Sequence, residues 1–293
     1  MTEVTQMKKI MLIILCFALL SAPSAARAAE QVTTTDIKAF IDGLWVPGVN
    51  VGGRLYVYVR DLENYGYAVE WNGEQRRVDL YKADNKTVLP LLPEYVGAEN
   101  SGRWICNTQS TDITVYFGGI PIPSVSINGK TAVMLRDIDI RCNISFNSQR
   151  RESEIWVGKT KLEGKKLEYK NIFYSCISLL SRGDYEADII MSMAESDVYN
   201  EAALYGMKKY IEELTAANET LKKYEESPGF SESAMELWWA SVNARYAACN
   251  LYEMAENMRD GISNPVLKDY YLQYTEDSRY QRSEALALFA SEL

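Results

Sequence analysis

One pattern occurs twice in the first half of the chain, at a constant offset of 76 residues. Ile37, Gly43, Pro47, Val49, Gly53, Val57, Arg60 and Asp61 recur as Ile113, Gly119, Pro123, Val125, Gly129, Val133, Arg136 and Asp137. These are eight identities in 26 aligned positions, and most other positions keep their apolar or polar type. After one deletion the register resumes at offset 75, with Val69, Trp71 and Asn72 against Ile144, Phe146 and Asn147. A fixed period is the signature of a duplicated structural unit.

Each copy reads as hairpins. Alternating apolar residues flank Asp42-Gly43 and Gly118-Gly119, the residue pairs that two-residue hairpin turns favour. A Gly-containing loop follows at Gly52-Gly53 or Asn128-Gly129. Then comes an apolar strand ending in Arg-Asp, with a short helical turn over Asp61–Tyr65. A last hairpin, Tyr67–Trp71 and Arg77–Tyr81, turns at Asn72-Gly73. The unit is β-β-β-α-β-β, and alternation gives its sheet one buried face. Trp71 and Phe146 are expected at equivalent places on such buried faces.

The run Asp42-Gly43, Val46-Pro47, Gly53-Arg54, Val57, Arg60-Asp61 and Val69-Glu70-Trp71-Asn72-Gly73 resembles the copper amine oxidase N-terminal (stalk) domain. The resemblance spans residues 37–81 and 113–157. The second copy departs at Asn147-Ser148, where the pattern has Asn-Gly. It implies a tandem cell-surface binding module of the kind that secreted Gram-positive proteins carry, without catalysis of its own. Asn64-Tyr65-Gly66-Tyr67 is similar to the oxidase cofactor motif, but Gly66 stands where that motif has an acid. It reads as a turn leading into a strand.

From Leu167 the period changes. Ala203, Met207, Tyr210, Leu214, Ala217, Leu221 and Tyr224 step by alternating fours and threes, an a/d seam. A fainter seam runs from Phe173 to Ala194, interrupted by Gly183. Ser233 and Glu236 have capping-box spacing, Gly261 suits a helix end, and Asn264-Pro265 suits a helix start. Four helices are expected near 167–195, 198–225, 232–260 and 265–291, an antiparallel four-helix bundle. The fold class is α+β: two small β-rich modules followed by an all-α bundle. The division expected is 1–28 signal peptide, 29–90 module one, 91–163 module two and 164–293 helical domain.

Lys8 and Lys9, the apolar run Ile10–Leu20 and Ala26-Arg27-Ala28 follow the order of a secretory signal. The run is too short to span a bilayer, and no later stretch is long enough. An exported protein is expected, extracellular or wall-associated. The formal charge is −9, which argues against nucleic acid as a partner. Most of that acidity lies in the helical half. There is no histidine, which removes Ser-His-Asp and Cys-His nucleophile activation and most catalytic transition-metal sites. No cofactor or metal site is expected. A carboxylate-pair hydrolase acting on envelope polymer remains open on composition, as does a sensory protein acting through the bundle.

Export leaves Cys106, Cys142, Cys176 and Cys249. Their division between domains favours Cys106–Cys142 and Cys176–Cys249 if disulfides form, and buried free thiols are the alternative. The reading favoured is a non-catalytic envelope-binding or scaffold protein whose partner is a cell-wall polymer or envelope protein. Candidate contact residues are Tyr56 and Tyr58, on one face of a strand, and Trp239, beside Trp238 on the third helix. Mass analysis of the exported protein should find a mature chain starting near Ala29; retention of residues 1–28 would remove the compartment argument.

Overall fold

A computed structural model describes residues 29–83, 86–92, 101–138, 144–157, 162–196, 200–224 and 229–293. The expected signal peptide and Cys142 lie outside the described residues. The first copy forms β1 (Gln31–Thr33), β2 (Lys38–Ile41), β3 (Leu44–Val46), β4 (Val49–Val51), β5 (Arg54–Tyr58), a 3₁₀ turn (Arg60–Tyr65), β6 (Tyr67–Asn72) and β7 (Arg77–Lys82). The second forms β8 (Trp104–Asn107), β9 (Thr114–Phe117), β10 (Ile120–Ile122), β11 (Ser124–Ile127), β12 (Lys130–Met134), a 3₁₀ turn (Leu135–Asp137), β13 (Ser145–Asn147) and β14 (Glu152–Ile155).

Local turn chemistry explains the hairpins. Asp42-Gly43 (φ 51° and 84°) and Asn128-Gly129 (φ 50° and 76°) have both central residues left-handed, as a type I′ turn requires. The last hairpins turn differently from the tight Asn72-Gly73 turn expected. β6 and β7 are joined through residues 73–76, and Asn72 Oδ1 accepts from the Gln75 amide at 3.0 Å. Arg76 takes the left-handed conformation, and Arg151 does the same in copy two, at φ 49° and 54°.

The copies do not form separate sheets. Every sheet draws strands from both sides of residue 90. The first hairpin of copy one, β2–β3, pairs in parallel with β14 of copy two. The first hairpin of copy two, β9–β10, pairs in parallel with β7 of copy one. The two four-stranded sheets, β3-β2-β14-β13 and β10-β9-β7-β6, are therefore the same structure with the copies exchanged. The third sheet has six strands, β11-β12-β5-β4-β1-β8. In it β5 pairs antiparallel with β12, and Val57 faces Val133. These two residues are equivalent in the repeat, so a pseudo-dyad passes between them.

The exchange is fastened twice in the same way. Arg76 donates to both carboxylate oxygens of Asp112, at 2.8 and 2.7 Å. Its repeat equivalent Arg151 donates to both oxygens of Asp36, at 2.9 and 2.8 Å. The carbonyl oxygens of Arg76 and Arg151 accept from the Thr114 and Lys38 amides at 3.0 and 2.8 Å.

The six-stranded sheet closes on itself through a bridge between Gln109 and Ser126. Inside it Val32, Val51, Tyr56, Val125, Ile127, Ala132 and Met134 form a small core. Tyr56 is 1% exposed there, which removes it as a contact residue: its side chain fills the sheet's interior. Trp71 and Phe146 do sit at equivalent places, but they are 49% and 54% exposed rather than buried. Each lies on an outermost strand of its sheet, β6 or β13, near that strand's end.

Four long helices follow: α1 (Gly164–Ser196), α2 (Glu201–Lys222), α3 (Ser231–Arg259) and α4 (Pro265–Glu292). Among the described residues no helix is long and apolar enough to cross a membrane. Gly183 does not break α1. A Cβ there would lie 2.0 Å from Tyr210 Oη, so the missing side chain lets α2 approach. α3 starts at Ser231, two residues before the expected cap. Ser233 is buried inside the helix instead, its amide donating to Glu292 at 3.1 Å and its hydroxyl bonded to Tyr169 Oη at 2.8 Å. Glu292 thus caps α3 from the end of α4. Gly261 closes α3 as expected, with the Ile262 amide on Asn257 O at 2.8 Å and the Gly261 amide on Met258 O at 3.0 Å.

The helices share a core with the sheets. The Trp45 amide donates to Tyr174 Oη at 2.9 Å, and the Phe40 ring meets Tyr174 edge-on at 5.0 Å. Lys170, 2% exposed, pairs with Glu154 and sits 4.1 Å from the Phe40 ring centroid. Burial holds its ammonium below the usual lysine range, against the pull of Glu154. The pseudo-dyad equivalents of Phe40 and Glu154 are Tyr116 and Asp79. There the cation is Arg77, 3.9 Å from the Tyr116 centroid and donating to Asp79 at 2.8 Å. Copy two has Glu152 in place of Arg77, and α1 supplies the missing cation.

Cys176 is a buried thiol and Cys249 an exposed one. The pair expected from domain membership is therefore not formed, because the two side chains face opposite environments. Cys106 is a partly buried free thiol.

Two outcomes follow from these ion pairs. Arg151 and Arg76 hold the Asp36 and Asp112 carboxyls below their usual range. Their stabilisation is thus present above about pH 4 and is lost as pH falls through the lowered values. Urea midpoints should fall from pH 4 toward pH 2 more steeply in the wild type than in Asp36→Asn/Asp112→Asn. Lys170→Ala leaves a buried carboxylate unpaired and should cost about 3–5 kcal/mol. Lys170→Met/Glu154→Leu should recover most of it in the same urea titration.

Candidate functional site

The inner face of β6 runs out of the core as it approaches its end. Tyr67 is fully buried, Val69 is half-buried, and Trp71 stands 49% exposed on the same face. Trp71 is paired with Val78 of β7. Nearby, β5 ends at Tyr58, which pairs with Ala132 of β12. The space beside these elements and the tip of the β11–β12 hairpin is a groove of about 400 Å³. That volume falls in the range of small-ligand sites.

Copy one gives the groove Tyr58, Arg60, Asp61 and Trp71, and copy two gives it Ile113, Gly129, Lys130 and Thr131. It is a composite of both, and the exchanged pairing brings them together. Val59, Val69, Val78 and Ile113 supply its apolar surface. Lys130 Nζ lies 5.3 Å from the Tyr58 ring centroid, and the Arg76 guanidinium 5.5 Å from that of Trp71. Burial pushes the Asp61 carboxyl above its usual range, with Lys130 opposing. Burial and then the nearby Cys106 and Asp61 push the Tyr58 phenol up.

Asp61 is the one carboxylate among the described residues lining the groove, beside two cations, Arg60 and Lys130. Two aromatic side chains, apolar walls and a net positive set of hydrogen-bonding groups suit a ring-faced polar ligand bearing negative charge. Paired-acid glycoside hydrolysis uses two carboxylates about 5–9.5 Å apart, and the groove itself supplies one. Among the described residues no group of three His, Cys, Asp or Glu is placed to hold a metal ion.

No family model, curated protein or solved structure matches the chain. The site therefore rests on geometry. Of the contact residues expected from the sequence, Tyr58 lines the groove, Tyr56 is core, and Trp239 lies on α3. Trp239 is 44% exposed, with its ring edge-on to Trp238 at 4.7 Å. Tyr65 and Tyr67 are buried, and Gly66 between them takes φ 80° where the 3₁₀ turn ends. Sequence reasoning did not place Trp71, Arg60, Asp61 and Lys130 in the site. The available signal was the Arg-Asp pair retained in both copies, together with an aromatic residue preceding Asn in each last hairpin.

Proposed function

We propose that this is an exported, non-catalytic cell-envelope protein. Its stalk-like β modules hold a saccharide polymer bearing carboxylates, and its helices, read as an antiparallel bundle, meet a partner. The observation that carries the reading is the groove, with Trp71 at its mouth, Tyr58 in its lining and Arg60 and Lys130 as counter-charges. Sugar rings present apolar faces for stacking and hydroxyls for hydrogen bonds, and the cations favour an acidic polymer. The helical half carries most of the acidity, so its contacts should weaken with added salt.

The test uses the whole mature chain, because helices and sheets share a core. Pelleting with purified Gram-positive wall sacculi stripped of their stem peptides, which frees the muramoyl carboxylates, should retain the wild type. Trp71→Ala removes a half-exposed ring with little effect on folding and should weaken retention roughly 30-fold, the worth of about 2 kcal/mol of ring burial and aromatic contact. Lys130→Gln should weaken it further at low salt than at high salt. Wild-type protein left in the supernatant, or Trp71→Ala retained as well as wild type, would contradict the proposal.

A further inference from the structure

The pseudo-dyad through Val57 and Val133 relates residues lining the groove, as well as the strands, to counterparts in the other copy. Applied to Tyr58, Arg60, Asp61, Val69, Trp71 and Lys130, the repeat offsets give Met134, Arg136, Asp137, Ile144, Phe146 and Arg54. The charge pattern is kept at all three charged positions: two cations and one carboxylate. The aromatic position is kept as Phe146, 54% exposed, with Ile144 beside it at 44%. Both are large apolar side chains left open to solvent at the place where Trp71 and Val69 line the first groove. Both also lie on β13 or its entry, the outermost strand of the exchanged sheet, as β6 is of its own.

We infer that the protein carries a second, weaker subsite for the same acidic saccharide, centred on Phe146 and Arg54, so that one chain grips one polymer at two dyad-related points. The inference rests on the polymer-binding reading of the first groove. The weaker affinity follows from the exchanges. Phe146 lacks the indole N–H of Trp71, and the buried Met134 offers no hydroxyl where Tyr58 does. Two linked contacts turn a modest affinity for a short fragment into a much higher one for a long strand.

The probe is peptidoglycan glycan strands stripped of stem peptides, whose muramoyl groups carry free carboxylates. They are used as short oligosaccharides and as long strands, in calorimetric titrations of the whole mature protein. The wild type should show two unequal sites for the oligosaccharide. Phe146→Ala should remove the weaker and leave the stronger. Trp71→Ala should do the reverse. Long strands should bind Phe146→Ala about tenfold or more weakly than the wild type. Thermal midpoints of both variants, changed at exposed positions, should stay near wild type. A single wild-type site, lost in Trp71→Ala and untouched by Phe146→Ala, overturns the second subsite and leaves the first standing. No binding by the wild type overturns the polymer reading and the second subsite together.

Discussion

Parallel pairing of each copy's first hairpin with the other copy's last strand is the constraint on which the β half depends. Neither copy can complete a four-stranded sheet alone, because its own first and last hairpins belong to different sheets. Once β7 takes β9 and β14 takes β2, the middle hairpins meet back to back at Val57 and Val133. The six-stranded sheet then closes around its own interior. Units this short gain little from burial singly, and exchange lets each repeat complete the other's core. The groove inherits the same dependence, since its lining comes from both copies.

The helical half breaks the symmetry through one charge. On the outer face of both exchanged sheets an aromatic ring and a carboxylate lie side by side: Tyr116 with Asp79, and Phe40 with Glu154. In the first case Arg77 satisfies both from within the sheet. In the second, Lys170 arrives from α1, and Tyr174, Phe173 and Phe289 pack behind it. A buried ion pair is a weak source of net stability, but leaving one partner unpaired is costly. Here the Glu154 carboxylate takes its cation from α1, whereas the Asp79 carboxylate takes its own from β7.

The sequence made local features legible and hid non-local ones. Asp42-Gly43 and Asn128-Gly129 take left-handed backbone at both positions, so those turns could be placed from residue types, whereas Asn72-Gly73 does not and its hairpin turns left-handed only at Arg76. The four helices could be bounded to within a few residues because seams, Gly261 and Pro265 act locally. Which strands pair across the copies was not legible. Equivalent strands carry the same inward pattern, so pairing within a copy and between copies satisfies alternation equally. Alternation also assigns a side chain to a face without saying how far along that face the core extends. Trp71 and Phe146 thus emerge into solvent while Tyr67 is buried. Ser233 has the spacing of a cap, yet Glu292 and Tyr169 engage it from elsewhere in the fold. The parity of the cysteines likewise carried no information on the opposite environments of Cys176 and Cys249.

The exchanged topology is tested most directly by methyl–methyl contacts in valine-labelled protein. Val78 of β7 and Val115 of β9 lie opposite one another in the parallel pair that joins the first hairpin of copy two to the last hairpin of copy one. A strong Val78–Val115 cross-peak is expected in the monomeric chain, its intensity per labelled chain unchanged on dilution with unlabelled protein. Absence of that peak in the monomer, or its loss in mixtures of differently labelled chains, would show that the copies do not exchange strands within one molecule.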